Sequence, residues 1–240
     1  MRKIAVTIRK GGTGKTTTAV NLSHALALAG RRVLLVDTDA QGQVAHMLGL
    51  APQLGLADVL AGRVSALAAI CPARDGLDII AGGPDLVALP LDRSDAVRAA
   101  LRTAGRGYDF VIVDTAPGFD MLAWGVLHYA GEVLAPVSLE PLTLFGLVDF
   151  RRNLEAAQKD NRALVLRYVV PTFADGRVAK TREILADLEA HFPDQLCAPI
   201  RYNVRISEAP AFGQTVLEYA PRSHGADDYR ALAARIAGDE

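Results

Sequence analysis

The sequence predicts an α/β fold of the doubly wound type, in which a mostly parallel sheet is covered by helices on both faces. Strand-like runs, several of them rich in Val and Ile, alternate with helix-like segments along the 240 residues. Runs that are apolar on both faces are typical of strands buried between two helix layers. No internal repeat, linker or low-complexity segment interrupts this alternation, so we expect residues 1–240 to form a single domain.

The boundaries of the predicted elements follow from the apolar pattern. We expect strands at residues 3–8, 32–37, 77–81, 109–114, 132–137 and 164–170. We expect helices, among others, at residues 16–29, 92–103, 143–159 and 178–191. The Gly82-Gly83-Pro84 cluster predicts a turn after a strand. Because open parallel sheets bind ligands at the carboxyl ends of their strands, we expect the functional residues in the loops that follow the strands.

The composition limits the class of protein. Half of the residues are hydrophobic, which is enough for a sizeable core, and the formal net charge of −1 gives no support for nucleic-acid binding outside a local patch. Cys71 and Cys197 are far apart in sequence and form no CxxC pair, so we interpret them as reduced thiols of a cytoplasmic protein; a disulfide between them is the alternative. No signal peptide is recognised, and no apolar run approaches the length of a membrane span.

A glycine-rich loop follows the first predicted strand and precedes the first predicted helix. Strand, glycine loop and helix together are the context that a phosphate-binding loop requires, because backbone N–H groups and the helix N-terminus can converge on an anion. The alternative is a glycine-rich turn without a ligand, which the flanking strand and helix disfavour. We therefore assign nucleotide binding to the residues of this loop, namely Lys10, Gly11, Gly12, Thr13, Gly14, Lys15, Thr16 and Thr17.

Two further strands end in aspartate and can supply the acidic partners of this loop. The run Phe110 to Asp114 is apolar up to its last residue, and the run Val33 to Asp37 is followed by a second carboxylate at Asp39. Phosphoryl transfer needs a metal ion, a positioned nucleophile and charge neutralisation, so carboxylates at this edge of the sheet are predicted to serve a Mg²⁺ ion. The alternative interpretation is that these aspartates cap turns and helices.

The loop sequence K-G-G-T-G-K-T, which carries both Lys10 and Lys15, resembles the deviant Walker A motif of the ParA/MinD superfamily of dimerising ATPases. Residues 37–42 read D-T-D-A-Q-G and are similar to the family segment D-x-D-P-Q-G, with Ala40 in place of proline. Residues 203–213 closely match the ParA-type segment N-V-R-x-S-E-A-P-x-x-G. The similarity thus covers nearly the whole chain, and it implies a P-loop ATPase that uses ATP and Mg²⁺.

The resemblance also implies roles for single residues. Lys10 is expected to reach across a homodimer to the partner's phosphates, Lys15 to bind the β- and γ-phosphates, and Asp39 to orient the attacking water; these three are the expected catalytic residues. Metal binding is expected from Thr16, Asp37 and Asp114. Arg201 and Asn203 occupy a loop that usually lies near the adenine. Arg177 and Arg205 match arginines that contribute to non-specific binding of duplex DNA.

Three functions compete at this point. The leading one is a ParA-type ATPase that dimerises around ATP, binds DNA non-specifically, is stimulated by a ParB-like or adaptor protein, and is cytoplasmic and nucleoid-associated. The alternative is a MinD-like ATPase that cycles on a membrane, but residues 229–240 are alanine-rich and end acidic, unlike a basic amphipathic membrane anchor. An iron–sulfur protein resembling the nitrogenase iron protein is disfavoured, because no cysteine lies between Asp114 and Gly131. The cargo that such an ATPase moves stays open.

Overall fold

A seven-stranded sheet organises the protein in the computed structural model, which describes residues 1–89, 95–140 and 143–239. The strands are β1 (Arg2–Val6), β2 (Val33–Asp37), β3 (Cys71–Arg74), β4 (Leu77–Ile80), β5 (Phe110–Asp114), β6 (Glu132–Ser138) and β7 (Val165–Thr172). Their order in the sheet is β3-β4-β2-β5-β1-β6-β7, and every neighbouring pair is parallel except β3 with β4. The predicted doubly wound, mostly parallel α/β fold is confirmed.

Helices connect the strands and cover both faces. They are α1 (Lys15–Leu28), α2 (Gln43–Met47), α3 (Leu56–Leu60), α4 (Ala96–Leu101), α5 (Met121–Tyr129), α6 (Thr143–Gln158), α7 (Ala179–His191), α8 (Val204–Glu208), α9 (Val216–Tyr219) and α10 (His224–Gly238). Short 3₁₀ helices lie at Pro84–Ala88 and Ala209–Phe212. The predicted helix at 92–103 begins outside the described residues, and its described part is α4.

The core has two layers because successive strand residues point to opposite faces of the sheet. On β5, Val111 and Val113 belong to a cluster with α3, α4, α5, α6 and α7, whereas Phe110 and Ile112 belong to a cluster with α1, α2, α9 and α10. All five residues of β5, from Phe110 to Asp114, are buried. This double burial explains why the strand is apolar at every position before its final aspartate.

The sequence did not predict β3, the antiparallel strand at the edge of the sheet. Its four residues include Pro72, which cannot donate a ladder hydrogen bond, and its register shifts between Pro72 and Arg74. A short, irregular edge strand carries little of the apolar alternation that identifies a strand in a sequence. The strand–turn–strand unit β3–β4 is therefore visible only once tertiary pairing is known.

Candidate functional site

The glycine-rich loop joins β1 to α1 at the carboxyl edge of the sheet. Gly12 and Gly14 have φ angles of 72° and 81°, which glycine adopts at little cost and other residues adopt rarely. Gly14 is the N-cap of α1, and no side chain caps its N-terminal N–H groups. These groups are consequently available to an anion that sits in the loop, as the sequence predicts.

Lys15 folds back over the loop that precedes it. Its Nζ donates a hydrogen bond to the carbonyl oxygen of Lys10 at 3.2 Å, and only 6% of the residue is exposed. Burial lowers the pKa of Lys15, while the carboxylates of Asp114 and Asp39 act in the opposite direction. A cation held in this position faces the space above the loop N–H groups, where a phosphate chain would lie.

Asp37 and Asp114 end the neighbouring strands β2 and β5 in the same register, so their carboxylates are brought side by side. Both residues are fully buried. The Asp37 carboxylate accepts hydrogen bonds from the backbone N–H groups of Asp39 at 2.8 Å and Val44 at 3.2 Å. Both carboxylate oxygens of Asp114 are buried without a close hydrogen-bond partner among the described residues, although the Thr16 hydroxyl lies near enough to favour the charged form and so to oppose the rise in the pKa of Asp114 that burial causes.

Burial controls the acidity of this pair. It raises the pKa of Asp37 to about 6 and that of Asp114 well above its ordinary value, and the Asp37 charge raises the latter further. Two adjacent buried carboxylates, of which that of Asp114 has unsatisfied oxygens, fit a divalent cation, and Thr16, at the start of α1, can add a hydroxyl ligand. The described residues contain no group of three His, Cys, Asp or Glu side chains arranged as a metal cage. Carboxylate and hydroxyl oxygens are ligands that suit Mg²⁺, which keeps water and phosphate oxygens among its other ligands.

Asp39 lies in a tight turn beside this pair. Its carboxylate accepts a hydrogen bond from the N–H of Gln41 at 2.9 Å, and its carbonyl oxygen accepts one from Gly83 at 3.2 Å. Asp39 lines a groove of about 620 Å³ together with Lys15, Thr16 and other residues of the phosphate loop. The groove brings residues of the phosphate loop, among them the predicted metal ligand Thr16, together with the predicted water-positioning residue Asp39.

Lys10 points away from its own loop. Its Nζ lies 2.6 Å from Oε2 of Glu140, and about half of each side chain is exposed. The pair lines a second cavity, of about 560 Å³, with Thr13 and Asp149. Because Lys10 engages a surface carboxylate and remains accessible, its position is compatible with the predicted contact to a second protomer.

Arg201 and Asn203 line a third cavity, of about 240 Å³, next to the phosphate loop residues Gly14 and Thr17. Arg201 is held there by Asp228, with an Nη2 to Oδ1 distance of 2.5 Å, and the amide oxygen of Asn203 accepts a hydrogen bond from the N–H of Arg205. The structure therefore brings the two residues predicted near the base to one side of the phosphate loop, and their contact with the base stays a prediction.

Comparison with known proteins agrees with this geometry. A family model described as an AAA domain matches residues 1–166. The chromosome-partitioning ATPase Soj of Thermus thermophilus is 38% identical over 240 aligned residues, which cover 98% of this chain and 95% of Soj. This chain belongs to the ParA/MinD superfamily of ATPases. The relationship that the sequence motifs implied is thereby confirmed.

Two solved structures extend the comparison. A Mycobacterium smegmatis protein described as cobyrinic acid a,c-diamide synthase, with bound ATP analogue and magnesium, is 31% identical with a TM-score of 0.85, over 99% of this chain and 94% of that one. The cell division ATPase MinD of Pyrococcus furiosus is 27% identical with a TM-score of 0.85, over 100% and 99% of the two chains. The P-loop fold of the ParA/MinD superfamily is thus shared along the whole length of the protein.

The two arginines predicted to bind DNA are exposed, but each is paired with a carboxylate of its own segment. Arg177 lies 2.7 Å from Asp175, and Arg205 lies 2.8 Å from Glu208. These ion pairs reduce the positive charge that either arginine presents. The assignment of Arg177 and Arg205 stays a prediction.

Sequence reasoning missed three residues of the site. Glu140 is the partner of Lys10, Gly82 packs against the Asp37–Asp39 segment, and Phe173 lies against the phosphate loop. Glu140 and Phe173 carry no motif of their own, and Gly82 belongs to a cluster that predicts only a turn.

Among the helices that the structure describes, none combines the length and apolar character needed to cross a bilayer.

Proposed function

We propose that this protein is a ParA-type ATPase that dimerises around ATP, binds DNA non-specifically and hydrolyses ATP to partition or position a cargo. One observation carries the proposal: the phosphate loop shares one groove with Asp39, and Lys10 remains accessible outside it. The buried carboxylates of Asp37 and Asp114 lie in register on neighbouring strands that end at the same edge of the sheet. The similarity to Soj, a chromosome-partitioning ATPase, supports the same activity.

ATP and Mg²⁺ are the cofactors that fit the groove. The phosphates would be held by the N–H groups and side chains of the phosphate loop, whose predicted nucleotide-binding residues are Lys10, Gly11, Gly12, Thr13, Gly14, Lys15, Thr16 and Thr17. Thr16, Asp37 and Asp114 would hold the metal, which neutralises charge on the phosphate oxygens when bound. The M. smegmatis structure described with an ATP analogue and magnesium supports this pairing.

The catalytic assignments follow from position. Lys15, buried above the loop, would stabilise charge on the transferred phosphate, and Asp39, at the rim of the groove, would orient the attacking water. Lys10 would leave Glu140 and supply a positive charge to the nucleotide of a second protomer. A charge supplied in this way makes the active site complete only in the dimer.

A turnover assay tests the assignments. Lys15→Ala is expected to impair nucleotide binding and hydrolysis together, whereas Asp39→Ala is expected to bind ATP and dimerise but to hydrolyse it hardly at all. Hydrolysis is measured with and without Mg²⁺, DNA and the activating partner, since we expect slow intrinsic turnover that DNA and partner accelerate. Normal partner-stimulated turnover by Asp39→Ala would remove Asp39 from the mechanism.

The second candidate is a MinD-like ATPase that cycles on a membrane, which the similarity to P. furiosus MinD favours. Over its described length, helix α10 offers no free apolar face to lipid, because its residues Tyr229, Leu232 and Ile236 are buried in the core beside α1. An anchor needs such a face free for lipid. Paired co-sedimentation with liposomes and with DNA separates the two candidates: the favoured function predicts ATP-dependent recovery with DNA, in keeping with a cytoplasmic, nucleoid-associated protein.

A further inference from the structure

Phe173 has an unusual backbone conformation. It follows directly after β7 and has a φ of 56°, the only positive φ at a non-glycine residue in the described part of the chain. The left-handed region crowds Cβ against the backbone, so a bulky residue there is strained. Such strain persists where the surrounding structure fixes it, and it concentrates at ligand sites.

Hydrogen bonds fix the chain on both sides of Phe173. On one side, the hydroxyl of Thr172 donates to the carbonyl oxygen of Thr13 in the phosphate loop at 3.0 Å. On the other side, the N–H of Ala174 donates to Ile200 at 3.1 Å, and the N–H of Tyr202 donates to Ala174 at 3.0 Å. The backbone is thus tied at once to the phosphate loop and to the segment that carries Arg201.

These ties direct the Phe173 ring toward the phosphate loop and not into the core. The ring Cζ lies 3.5 Å from the position that a Cβ on Gly14 would occupy, and 47% of the residue is exposed. Phe173 lines both the 240 Å³ cavity of Arg201 and Asn203 and the 620 Å³ groove of the phosphate loop. A half-exposed aromatic ring that lines two adjacent cavities lacks a packing reason for its strained backbone.

We propose that Phe173 is a positioning residue for the nucleotide, and that its ring contacts the nucleoside where the base pocket meets the phosphate groove. This inference rests on the proposed ATPase function. An aromatic ring offers a nucleoside an apolar surface with little loss of side-chain entropy, and contacts of this kind are worth a measurable fraction of binding. The ring therefore sets where the base lies when the phosphates occupy the loop.

Three substitutions separate the ring from the strained backbone. Phe173→Ala removes the ring and keeps the strain, whereas Phe173→Gly removes the ring and relieves the strain. Phe173→Tyr keeps a ring at the same position. If the ring acts on the nucleotide, Ala and Gly have the same binding defect, and Tyr restores binding.

The experiment is a calorimetric titration with ADP and, separately, with inorganic pyrophosphate, both with Mg²⁺. We expect Phe173→Ala and Phe173→Gly to bind ADP about tenfold more weakly. We expect both to bind pyrophosphate like the parent, and Phe173→Tyr to bind ADP like the parent. ADP binding by Phe173→Gly equal to that of the parent would overturn the proposal, and so would a parallel loss of pyrophosphate, which would indicate a distorted loop.

Lys15→Ala distinguishes failure of this proposal from failure of the proposed function. It is expected to lose affinity for both ADP and pyrophosphate, because both need the phosphate loop. If Lys15→Ala binds both ligands normally, the nucleotide site itself is wrongly placed. If it loses both while the Phe173 variants behave like the parent, the site stands and only the role of Phe173 falls.

Discussion

At the scale of single residues, burial of the Asp114 carboxylate lowers the stability of the folded protein. Its two carboxylate oxygens are buried without a close hydrogen-bond partner among the described residues. Asp37 lies beside it, in register on the neighbouring strand. An unpaired buried charge destabilises a fold unless a cation or a proton neutralises it. The simplest reason to keep such a group is a ligand that supplies the missing positive charge.

Asp114→Asn is therefore expected to stabilise the nucleotide-free protein, by roughly 1–3 kcal/mol, while abolishing Mg²⁺-dependent hydrolysis. Urea unfolding in the presence of a chelator measures the first effect, and a turnover assay the second. Asp194→Asn, at an exposed position, is the matched control and is expected to change neither. An Asp114→Asn protein less stable than the parent would contradict this account of the site.

The same carboxylates predict how stability depends on pH. Burial raises their pKa values in the native state, that of Asp37 to about 6, so the native protein binds protons more tightly than the unfolded chain does. Stability then falls as the pH rises through the native pKa. We expect the advantage of Asp114→Asn over the parent, measured by urea unfolding without metal, to be larger near pH ~8 than near pH ~5. An advantage that does not change with pH would indicate a cause other than charge.

The ion pair between Lys10 and Glu140 predicts a restraint on dimerisation. If Lys10 must leave Glu140 to reach a second protomer, Glu140→Gln removes a competing interaction and should tighten the ATP-dependent dimer about two- to fivefold, the range for an exposed pair. Light scattering over a range of concentrations measures this. Glu155→Gln, which breaks the surface pair with Arg151 on α6, is the control. Equal dimer affinities for the two variants would argue against the restraint.

At the scale of elements, the site depends on a close approach between two turns. A Cβ on Gly82 would lie 2.5 Å from the carbonyl oxygen of Asp39 and 2.7 Å from Cγ of Asp37. The turn after β4 thus packs directly on the turn after β2. Only a residue without a side chain permits this packing. The turn after β4 thereby supports the segment that carries the carboxylates of Asp37 and Asp39.

Gly82→Ala is expected to displace these carboxylates. We expect a loss of about 1–3 kcal/mol in unfolding free energy, as for other overpacked sites, and a turnover reduced at least tenfold, because small displacements of catalytic groups are costly. Urea unfolding and ATP hydrolysis are measured on the same preparations. Gly131→Ala is the control, because a Cβ there meets no atom within 4 Å. Similar behaviour of the two variants would show that the turn after β4 does not support the site.

The elements also explain which parts of the site the sequence could predict. Asp37, Asp114 and the glycine loop each stand at the end of a buried strand, so local pattern alone places them at one edge of the sheet. Glu140, Gly82 and Phe173 reach the site through packing between elements that are distant in sequence. The β3 strand was not predicted, because it too is identified only by its pairing in the tertiary structure. The other six strands lie within a few residues of their predicted positions.

At the scale of the whole molecule, the proposed sandwich predicts a change of mass with nucleotide. We expect a monomer with ADP and a dimer with ATP or a slowly hydrolysed analogue, because the triphosphate provides the charge that Lys10 of the second protomer binds. Light scattering in the three states measures the mass. Lys10→Ala should form a weaker dimer with ATP, and a mass that is unchanged by nucleotide would refute the sandwich.

Dimerisation also governs the predicted binding of DNA. One protomer offers few positions that can bind a phosphate, and the Arg177 and Arg205 charges are partly neutralised by Asp175 and Glu208. Two protomers on one rigid frame would double the number of such positions, so we expect avidity to make DNA binding depend on ATP. A protein with a net charge of −1 can bind DNA in this way only through a local patch.

The ion pair between Arg205 and Glu208 predicts opposite changes in DNA affinity when one partner or the other is substituted. Arg205→Ala should weaken binding to unrelated duplexes alike and make the slope of log affinity against log salt shallower, by about one for each DNA phosphate that Arg205 neutralises. Glu208→Gln should instead tighten binding, because it releases Arg205 from its ion pair. Titrations with two duplexes at several salt concentrations, with ATP and with ADP, measure both effects. Arg63→Ala, which breaks a comparable exposed pair with Asp58, is the control. Equal binding with ADP, or a strong preference for one duplex, would overturn the model of ATP-dependent, non-specific binding. Unchanged binding by Arg205→Ala, or weaker binding by Glu208→Gln, would place the DNA surface elsewhere, because either result contradicts a bond between Arg205 and a DNA phosphate.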